Sequence, residues 1–165
     1  MTVYYAWMDS PVGRLLIAGD QSGLRCILFA EGRSGVRPEP GWQENPASLD
    51  EAVRQLRAYF AGALREFDLA VAPEGTPFQK RVWQELLRIP YGSTISYGEL
   101  ARRIGKPNAS RAVGLANGAN PISIVIPCHR VIGSNGKLTG YGGGLDKKEW
   151  LLALERGQRN LSATR

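Results

Sequence analysis

Apolar and polar positions alternate over the first thirty residues, in the pattern of a β-sheet. Three such runs occupy residues 3–7, 15–18 and 24–29. The segments between them, 10–13 and 19–23, contain the glycine, proline, serine and aspartate that favour tight turns. Because short turns join neighbouring antiparallel strands, the chain is predicted to begin with an antiparallel sheet.

The pattern changes to helical spacing after a segment rich in glycine and proline, residues 32–46. Ser48 and Glu51 have the spacing of a capping box, in which each residue satisfies a backbone N–H of the first helical turn. They predict a helix that begins at Ser48, and Gly62 is placed to end it.

A second capping box marks the start of a new unit. Residues 72–75 (Ala-Pro-Glu-Gly) are typical of a joint, and Thr76 then caps a helix that has Pro77 at its first position. We therefore divide the chain into an N-terminal α/β domain, residues 1–74, and a C-terminal domain, residues 75–165.

Two short helices in the C-terminal domain are predicted to form a helix-turn-helix. Ser96 begins a third capping box, residues 105–108 break that helix, and Asn108 is suited to cap a second helix over 109–116. The second helix consists mainly of small residues, with Arg111 as its one long side chain. A solvated surface arginine and an arginine that enters a DNA groove both fit this position.

Two further elements complete the prediction. Residues 122–126 (Ile-Ser-Ile-Val-Ile) have the composition of a buried strand that would deliver Cys128 to its end. Asp146 and Glu149 are spaced as a capping box for a last helix, in which Trp150 is expected to pack in the core.

Charge is distributed unevenly over the 165 residues. Residues 1–74 carry 7 arginines and 10 acidic residues, a net charge of −3, whereas residues 75–165 carry 14 basic and 5 acidic residues, a net charge of +9. A basic C-terminal half suits a polyanionic partner, and it also suits a generally basic surface.

The most unusual chemistry lies at Cys128 and His129, where one of two cysteines precedes the single histidine of the chain. A neighbouring imidazole can help to generate the thiolate, which is the nucleophilic form of cysteine. A lone cysteine is more often a small buried hydrophobic residue than a nucleophile, and only the adjacent His129, the basic surroundings and the nearby glycines favour the second interpretation of Cys128. A glycine run at 140–144 could expose backbone N–H groups to a flat ligand, with Tyr141 as a wall.

Other classes of protein are disfavoured. One histidine and two distant cysteines do not have a recognised zinc spacing, so no metal site is expected. Cys26 and Cys128 allow at most one disulfide, and a reduced setting is the simpler expectation. The sequence has neither a secretory signal nor an apolar run long enough to cross a bilayer.

The span from residue 76 to 155 resembles the methylated-DNA–protein-cysteine methyltransferases (O6-alkylguanine-DNA alkyltransferases), especially their single-chain bacterial form. Residues 1–74 resemble the family's N-terminal domain only loosely. The motifs that carry the resemblance agree in order and spacing: Phe78-Gln79-x3-Trp83, Tyr91-Gly92, Ser96-Tyr97, Arg111-Ala112-Val113-Gly114, Asn120-Pro121, Pro127-Cys128-His129-Arg130, Tyr141-x-Gly143-Gly144 and Lys148-Glu149-Trp150-Leu151-Leu152.

The resemblance implies a fold and a mechanism. The fold is α/β (α+β), with a ribonuclease H-like N-terminal sheet and helix and a helical, winged-helix-like C-terminal domain. Cys128 is implied to take the alkyl group of O6-alkylguanine, and of O4-alkylthymine, from a base rotated out of the DNA helix. His129 would act as a base through a water, Glu155 would orient it, and Asn120 would brace the turn below.

The resemblance also implies how DNA is held. The helix-turn-helix would bind double-stranded DNA in the minor groove, with Arg111 replacing the extruded base. Base-reading groups are implied at Tyr97, Val131, Tyr141 and Gly142, together with the Cys128 carbonyl. The remaining implied DNA contacts lie at Ser96, Lys106, Asn108, Ser110 and Ser134.

No cofactor is implied, because the substrate supplies the alkyl group. The thioether product is a poor leaving group, so each molecule is expected to act once. The resemblance further suggests a cytoplasmic monomer without a membrane partner. Zinc ligands of some relatives have no counterpart here, and Ser123 and Thr139 replace a proline and a glycine of some relatives. The tolerated size of the alkyl group therefore stays open.

Two alternatives remain on sequence grounds. A non-catalytic helix-turn-helix protein could sense the lesion and recruit others, although relatives of that kind lack the cysteine. A cysteine hydrolase could use the same Cys128–His129 dyad, although the sequence contains no visible specificity element for peptides or esters.

Overall fold

The computed structural model of the chain describes residues 1–31 and 36–157. Its N-terminal sheet contains the strands β1 Tyr4–Met8, β2 Leu15–Asp20, β3 Gly23–Phe29 and β4 Gln43–Glu44. They lie in the order β3-β2-β1-β4. The antiparallel pairs β1–β2 and β2–β3 confirm the prediction, and the short strand β4 adds to β1 in parallel.

The first helices begin differently from the prediction. Asn45, not Ser48, provides the cap: its side chain accepts a hydrogen bond from the Ser48 N–H and starts a 3₁₀ turn, Pro46–Leu49. Helix α1, Asp50–Phe60, follows directly. A capping box at Ser48 was therefore wrong, because Ser48 lies inside a turn that an earlier residue had already begun.

Four helices and a two-stranded sheet form the C-terminal half. The Thr76 capping box is confirmed, with both of its reciprocal hydrogen bonds present. The elements described in this half are α2 Pro77–Leu86, β5 Ile95–Ser96, α3 Tyr97–Arg103, α4 Ser110–Gly118, β6 Val131–Ile132 and α5 Leu145–Glu155. The short strands β5 and β6 pair in parallel, and α2, α3 and α4 pack against one another.

Two predicted caps fall on the wrong residue. Ala109, not Asn108, is the N-cap of α4, and Gly144, not Asp146, is the N-cap of α5. Gly144 has φ of 101°, a left-handed conformation that an aspartate would adopt only at a cost. The sequence spacing was compatible with a cap, but the backbone geometry at each entry decided against it.

The predicted strand over residues 122–126 is also wrong. Ile122 makes one bridge to Ile27 of β3, and the following residues turn, with Ile124 at φ of 75°. Every residue from 122 to 126 is buried, which explains the apolar run. Burial of a turn and burial of a strand produce the same composition, so the pattern could not separate them.

The two halves share one apolar core, in which β3 supports the 120–126 segment. The Ile27 N–H donates to the Pro121 carbonyl at 2.9 Å, and the Ser123 N–H donates to the Ile27 carbonyl at 3.2 Å. The N-terminal sheet therefore positions the backbone that leads to Cys128. Within the described ranges, every helix is too short or too polar to cross a bilayer.

Candidate active site

Asn120 holds together the turn below the candidate nucleophile. Its Nδ2 donates to the Ile126 carbonyl at 2.8 Å, and its Oδ1 accepts from the Ile122 N–H at 3.0 Å. A buried turn must satisfy its own backbone polar groups, and a buried amide side chain can satisfy one donor and one acceptor at once. Asn120 thus replaces the hydrogen bonds that a neighbouring strand would have supplied.

Cys128 begins a 3₁₀ turn, Cys128–Arg130, and lines a cavity of about 250 Å³. Its residue is 5 % exposed, so a ligand must enter the cavity to meet the sulfur. Both halves of the chain contribute to the lining: Leu28, Phe29, Val36, Asn117, Gly118, Ala119, Asn120, Pro121, Ser123, Cys128, Gly140, Tyr141 and Gly142. A cavity of this size suits one flat base better than a drug-sized ligand.

The Cys128 sulfur is protonated at rest. Burial raises the pKa of its thiol above the usual range, although the Asn120 side chain and the charge of Lys148 oppose this effect. Attack on a substrate therefore requires that the proton be removed as the substrate is engaged.

His129 is oriented by Glu155, which the fold returns to it from the far end of α5. His129 Nε2 lies 2.7 Å from Glu155 Oε2, and both side chains are buried. Burial lowers the pKa of His129, and Glu155 only partly offsets this, so the ring is neutral near pH 7. The carboxylate fixes the proton on Nε2, which leaves the Nδ1 lone pair to accept another.

The Nδ1 atom of His129 is available to accept a proton. It is buried and has no hydrogen-bond partner among the described residues. A buried unsatisfied imidazole nitrogen is unusual in a structural histidine, which normally uses both ring nitrogens. His129 can therefore act as a base at Nδ1.

The Glu155 carboxylate is held ionised by its neighbours. Burial alone would raise its pKa, but the hydrogen bonds from His129 and Arg130 and the positive charge of Arg130 hold the pKa well below the usual range. Arg130 binds both carboxylate oxygens, and the Tyr59 hydroxyl of α1 donates to Oε2 at 2.6 Å. Sequence analysis missed Tyr59, because nothing in the spacing connects α1 with α5.

Lys148 is a second residue that sequence analysis did not single out. Its side chain is fully buried, and Nζ donates to the Val131 carbonyl at 2.7 Å and to the Thr139 carbonyl at 3.0 Å. Burial lowers the pKa of Lys148, while a negative charge on Cys128 would raise it. The lysine thus joins β6 to the loop that precedes the glycine run.

A T-shaped pair of aromatic rings forms one wall of the cavity. Phe29 of β3 and Tyr141 have ring centroids 5.5 Å apart. Gly143 lets the loop approach this wall, because a Cβ there would lie 2.8 Å from atoms of the Phe29 ring. Burial, and then the proximity of Cys128, raises the pKa of Tyr141 well above the usual range. Phe29 was also absent from the predicted site.

Of the implied base-reading groups, Cys128, Tyr141 and Gly142 line the cavity, whereas Tyr97 and Val131 are not part of its lining, and several of these groups already have hydrogen-bond partners. Tyr97 Oη lies 2.8 Å from Thr139 Oγ1. The Val131 carbonyl accepts from Lys148, and the Cys128 carbonyl accepts from Asn117 Nδ2 at 3.3 Å. Gly142 is exposed, and a Cβ there would contact nothing within 4 Å.

Helices α3 and α4 form the predicted helix-turn-helix, and α4 ends at the cavity. Arg111 is exposed on α4, and Leu115, one turn further on, is 73 % exposed. Sequence analysis missed Leu115; its signal was an apolar residue four positions after Arg111. Arg111 and Leu115 are four positions apart, so they lie on the same face of α4.

The other implied DNA contacts lie on the surface of the same half. Four of them are exposed: Lys106, Asn108, Ser110 and Ser134. Ser96 is half-buried, and its Oγ accepts a hydrogen bond from the Glu99 N–H as the N-cap of α3. No group of three or more potential metal ligands occurs among the described residues.

Comparison with known proteins places both halves of the chain in one family. Residues 3–73 match the family described as 6-O-methylguanine DNA methyltransferase, ribonuclease-like domain, and residues 77–157 match its DNA binding domain. A methylated-DNA–protein-cysteine methyltransferase of Methanosarcina acetivorans is 58% identical over 93% of this chain and 98% of its own. One from Mycolicibacterium paratuberculosis is 54% identical over 98% of both chains.

Solved structures are similar over nearly the whole chain. The crystal structure of Mycobacterium tuberculosis OGT in complex with DNA superposes with a TM-score of 0.88 at 51% identity, covering 96% of each chain. The structure of Mycobacterium tuberculosis O6-methylguanine methyltransferase gives a TM-score of 0.86 at 52% identity, covering 97% of this chain and 96% of the other. Fold and site together define a DNA-binding protein with a buried cysteine directly before a histidine. The chain belongs to the 6-O-methylguanine DNA methyltransferase family.

Proposed function

We propose that this protein repairs DNA by moving the alkyl group of O6-alkylguanine, and of O4-alkylthymine, onto the sulfur of Cys128. One observation carries the proposal: Cys128 lines a base-sized cavity and directly precedes a histidine that Glu155 orients. The names of the similar proteins support the same reaction.

The chemical step is a displacement at carbon. The Cys128 sulfur forms a bond to the alkyl carbon while the bond from that carbon to the guanine oxygen breaks. The thiol proton passes through a water to His129 Nδ1 and is returned to guanine N1, which becomes protonated in the repaired base. Glu155 stabilises the transient imidazolium, as the acid does in a Ser-His-Asp triad.

The product explains why each molecule acts once. A thioether is a poor leaving group at carbon, so the protein cannot return to the free thiol by the reverse displacement. The reaction needs no separate methyl donor, because the damaged base supplies the alkyl group. The protein is therefore consumed in a ratio of one molecule for each lesion.

The proposal requires that the damaged base leave the duplex, since the alkyl carbon cannot reach a buried sulfur from within the base stack. We place α4 in the minor groove, with Arg111 in the space of the extruded base. Lys106, Asn108 and Ser110 would contact the adjacent backbone, together with Ser96 and Ser134. The exposed position of Arg111 at the start of a helix that ends at the cavity supports this arrangement.

Inside the cavity, we assign the guanine edge to Tyr97, Val131 and Gly142, with Tyr141 against the base plane. Gly142 is exposed and would donate its backbone N–H, and Tyr97 can donate its hydroxyl once it leaves Thr139. The Val131 carbonyl keeps one lone pair beyond its bond to Lys148.

Three organisational features belong to the same proposal. The boundary between the two domains falls at residues 74–75, just before the Thr76 cap. The protein acts as a monomer, because a single chain contains every group that the mechanism uses. It works in a reducing cytoplasm, because both cysteines are unpaired and the reaction consumes a free thiol.

Intact mass spectrometry after incubation with a methylated oligonucleotide tests the reaction. One methyl group should be found per molecule, mapped to Cys128, with the oligonucleotide restored. Cys128→Ala should remain unmodified but still bind the duplex. Cys26→Ala should behave as the parent, because burial raises the pKa of Cys26 to about 12 and leaves it inert.

The same measurement separates the alternatives. A lesion sensor would bind the oligonucleotide and leave both its methyl group and the protein mass unchanged. A cysteine hydrolase would release product repeatedly without DNA. Either result would exclude alkyl transfer to Cys128.

A further inference from the structure

The catalytic carboxylate is held from two sides of the molecule. On the C-terminal side, His129 and Arg130 are next to each other in sequence and both bind Glu155. On the N-terminal side, Tyr59 near the end of α1 reaches across and donates its hydroxyl to Glu155 Oε2 at 2.6 Å. Tyr59 and Glu155 are separated by 96 positions in sequence, so only the packing of the two halves joins them.

Tyr59 and His129 bind the same oxygen. Glu155 Oε2 accepts from Tyr59 Oη at 2.6 Å, from His129 Nε2 at 2.7 Å and from Arg130 Nη2 at 3.0 Å. The Tyr59 side chain is fully buried, so its hydroxyl has no solvent to bind in place of the carboxylate. Short hydrogen bonds to an ionised acceptor are the strong class, and they restrict both position and charge distribution.

The ring of Tyr59 is held as firmly as its hydroxyl. It packs edge-on against Phe60 at 5.5 Å and Tyr91 at 6.2 Å, and at a tilt against Phe67 at 5.3 Å. Tyr91 in turn lies beneath the guanidinium of Arg130, 5.8 Å from its ring centroid. The aromatic cluster therefore leaves the hydroxyl no other orientation than toward Glu155.

We propose that Tyr59 is a positioning residue, through which the N-terminal half holds the Glu155 carboxylate against His129 and sets the basicity of the imidazole. The expected effect on the transfer rate rests on the proposed alkyl-transfer function, whereas the expected effect on the pKa of His129 does not. It gives the N-terminal half a role in the reaction besides lining the cavity.

The direction of the expected change in the pKa of His129 follows because Tyr59, His129 and Arg130 donate to the same oxygen of Glu155. Each donor to Oε2 takes part of the negative charge that would otherwise stabilise protonated His129. Removing the Tyr59 hydroxyl leaves more of that charge for the imidazole, so the pKa of His129 should rise. At the same time the carboxylate loses one restraint, so the ring should be less precisely aimed at the Cys128 proton.

The other charged and titratable groups near His129 are the same in the parent protein and in Tyr59→Phe. They come from every element packed around the cluster: Arg65 before α2, Tyr91 after it, Cys128 and Arg130 in the 3₁₀ turn, Tyr141 in the glycine loop, and Lys148 and Glu155 in α5. Tyr59→Phe removes one oxygen and keeps the ring, so a changed pKa of His129 reports on the hydroxyl.

The chain offers an unusually direct readout, because His129 is its only histidine. Imidazole ¹⁵N and ¹H resonances can be followed from about pH 5 to pH 9 without assignment ambiguity. We expect the parent protein to carry the proton on Nε2 at neutral pH. In Tyr59→Phe, the pKa of His129 should rise by roughly half a unit or more.

The matched control is Tyr91→Phe, which removes a hydroxyl from the same aromatic cluster but not one that binds Glu155. Its histidine titration should coincide with that of the parent. In Tyr59→Phe, by contrast, single-turnover transfer should be roughly threefold to tenfold slower at neutral pH. The acidic limb of its pH–rate profile should move to higher pH. A purely structural role would lower the unfolding midpoint and leave both pH profiles in place.

The outcomes separate this proposal from the function itself. If the parent transfers no alkyl group, the alkyl-transfer function fails while the NMR titration still tests the Tyr59 link. If the titration of His129 is the same in the parent and in Tyr59→Phe, the link is overturned, whatever the transfer rates.

Discussion

Arg130 binds both oxygens of Glu155, with Nε 2.8 Å from Oε1 and Nη2 3.0 Å from Oε2. Its third nitrogen, Nη1, donates to the Ile89 carbonyl at 2.6 Å, so the guanidinium is fixed on three sides. This planar, bidentate contact neutralises a carboxylate that is almost inaccessible to water. The ionised state of Glu155, on which the orientation of His129 depends, is therefore maintained by the residue next to His129 in sequence.

Replacing Arg130 by methionine should strongly destabilise the fold. The substitution leaves Glu155 buried without its counter-charge, which costs about 3–5 kcal/mol for a broken buried pair. Urea unfolding at neutral pH measures the loss. Arg54→Met is the matched control, because Arg54 also binds a glutamate, Glu51, but in full contact with solvent. We expect no measurable change there, and an unchanged midpoint for Arg130→Met would contradict the buried pair.

Stability should decrease as the pH falls below about 6.5 because of His129. Burial lowers the pKa of His129 in the folded state below the ordinary value of about 6.5. As the pH falls through that ordinary value, His129 becomes protonated in the unfolded chain while it stays neutral in the folded chain. The stability contributed by neutral His129 is thus present above pH 6.5 and is lost on acidification, by at most about 1.4 kcal/mol per pH unit.

Chemical denaturation at several pH values checks this slope. His129→Gln should be less stable overall but should lose most of that dependence on pH. No second histidine is present to mask the difference. Glu155 adds a separate loss only below its ordinary pKa of about 4.3, because its folded-state pKa is lowered. A slope that persists in His129→Gln would show that another group is responsible.

Arg111 and Leu115 should contribute to DNA binding in distinguishable ways. Arg111→Ala should weaken binding roughly threefold to tenfold and reduce the salt dependence by about one counterion, because one cation is lost. Leu115→Ala should weaken binding without altering the salt dependence, because its contact is apolar. Fluorescence anisotropy at several salt concentrations separates the two effects. Arg57→Ala, an exposed arginine on α1, should change neither quantity.

A methyl group at Gly143 should disturb the cavity wall. The added Cβ would lie 2.8 Å from the Phe29 ring, so either the loop or the ring must move. Overpacking of this kind costs about 1–3 kcal/mol, measurable as a lowered unfolding midpoint. Gly140→Ala provides the comparison, because a Cβ there would meet nothing within 4 Å. Equal midpoints for the two variants would argue against close packing of the loop on Phe29.

Local signals in the sequence were reliable where neighbouring residues alone determine the outcome. The Thr76 capping box formed as predicted, because both of its hydrogen bonds join residues three positions apart. The first three strands also formed, since alternation and turn residues act over short distances. The capping box predicted at Asp146 and the single cap predicted at Asn108 both failed, because the helices begin at other residues, with Gly144 and Ala109 as their N-caps.

The candidate site was predicted in part. Adjacency in sequence was enough to single out Cys128 and His129, and family resemblance added Glu155. Residues that reach the site from other elements gave no signal of their own. Lys148 looks like a surface lysine of α5, yet it is fully buried; Tyr59 looks like an ordinary core aromatic, yet it donates to Glu155.

By itself, then, the sequence determined the helical and strand periods, the basic character of the C-terminal half and the candidate nucleophile with its neighbouring imidazole. Tertiary structure alone decided which groups surround that pair and in which protonation state they are held. The physical reason is that hydrogen bonds within one helical turn depend only on the spacing of residues along the chain. The environment of Glu155 in α5 instead depends on Tyr59 from α1 and on His129 and Arg130 from the Cys128–Arg130 turn. Only packing brings those three elements to one carboxylate.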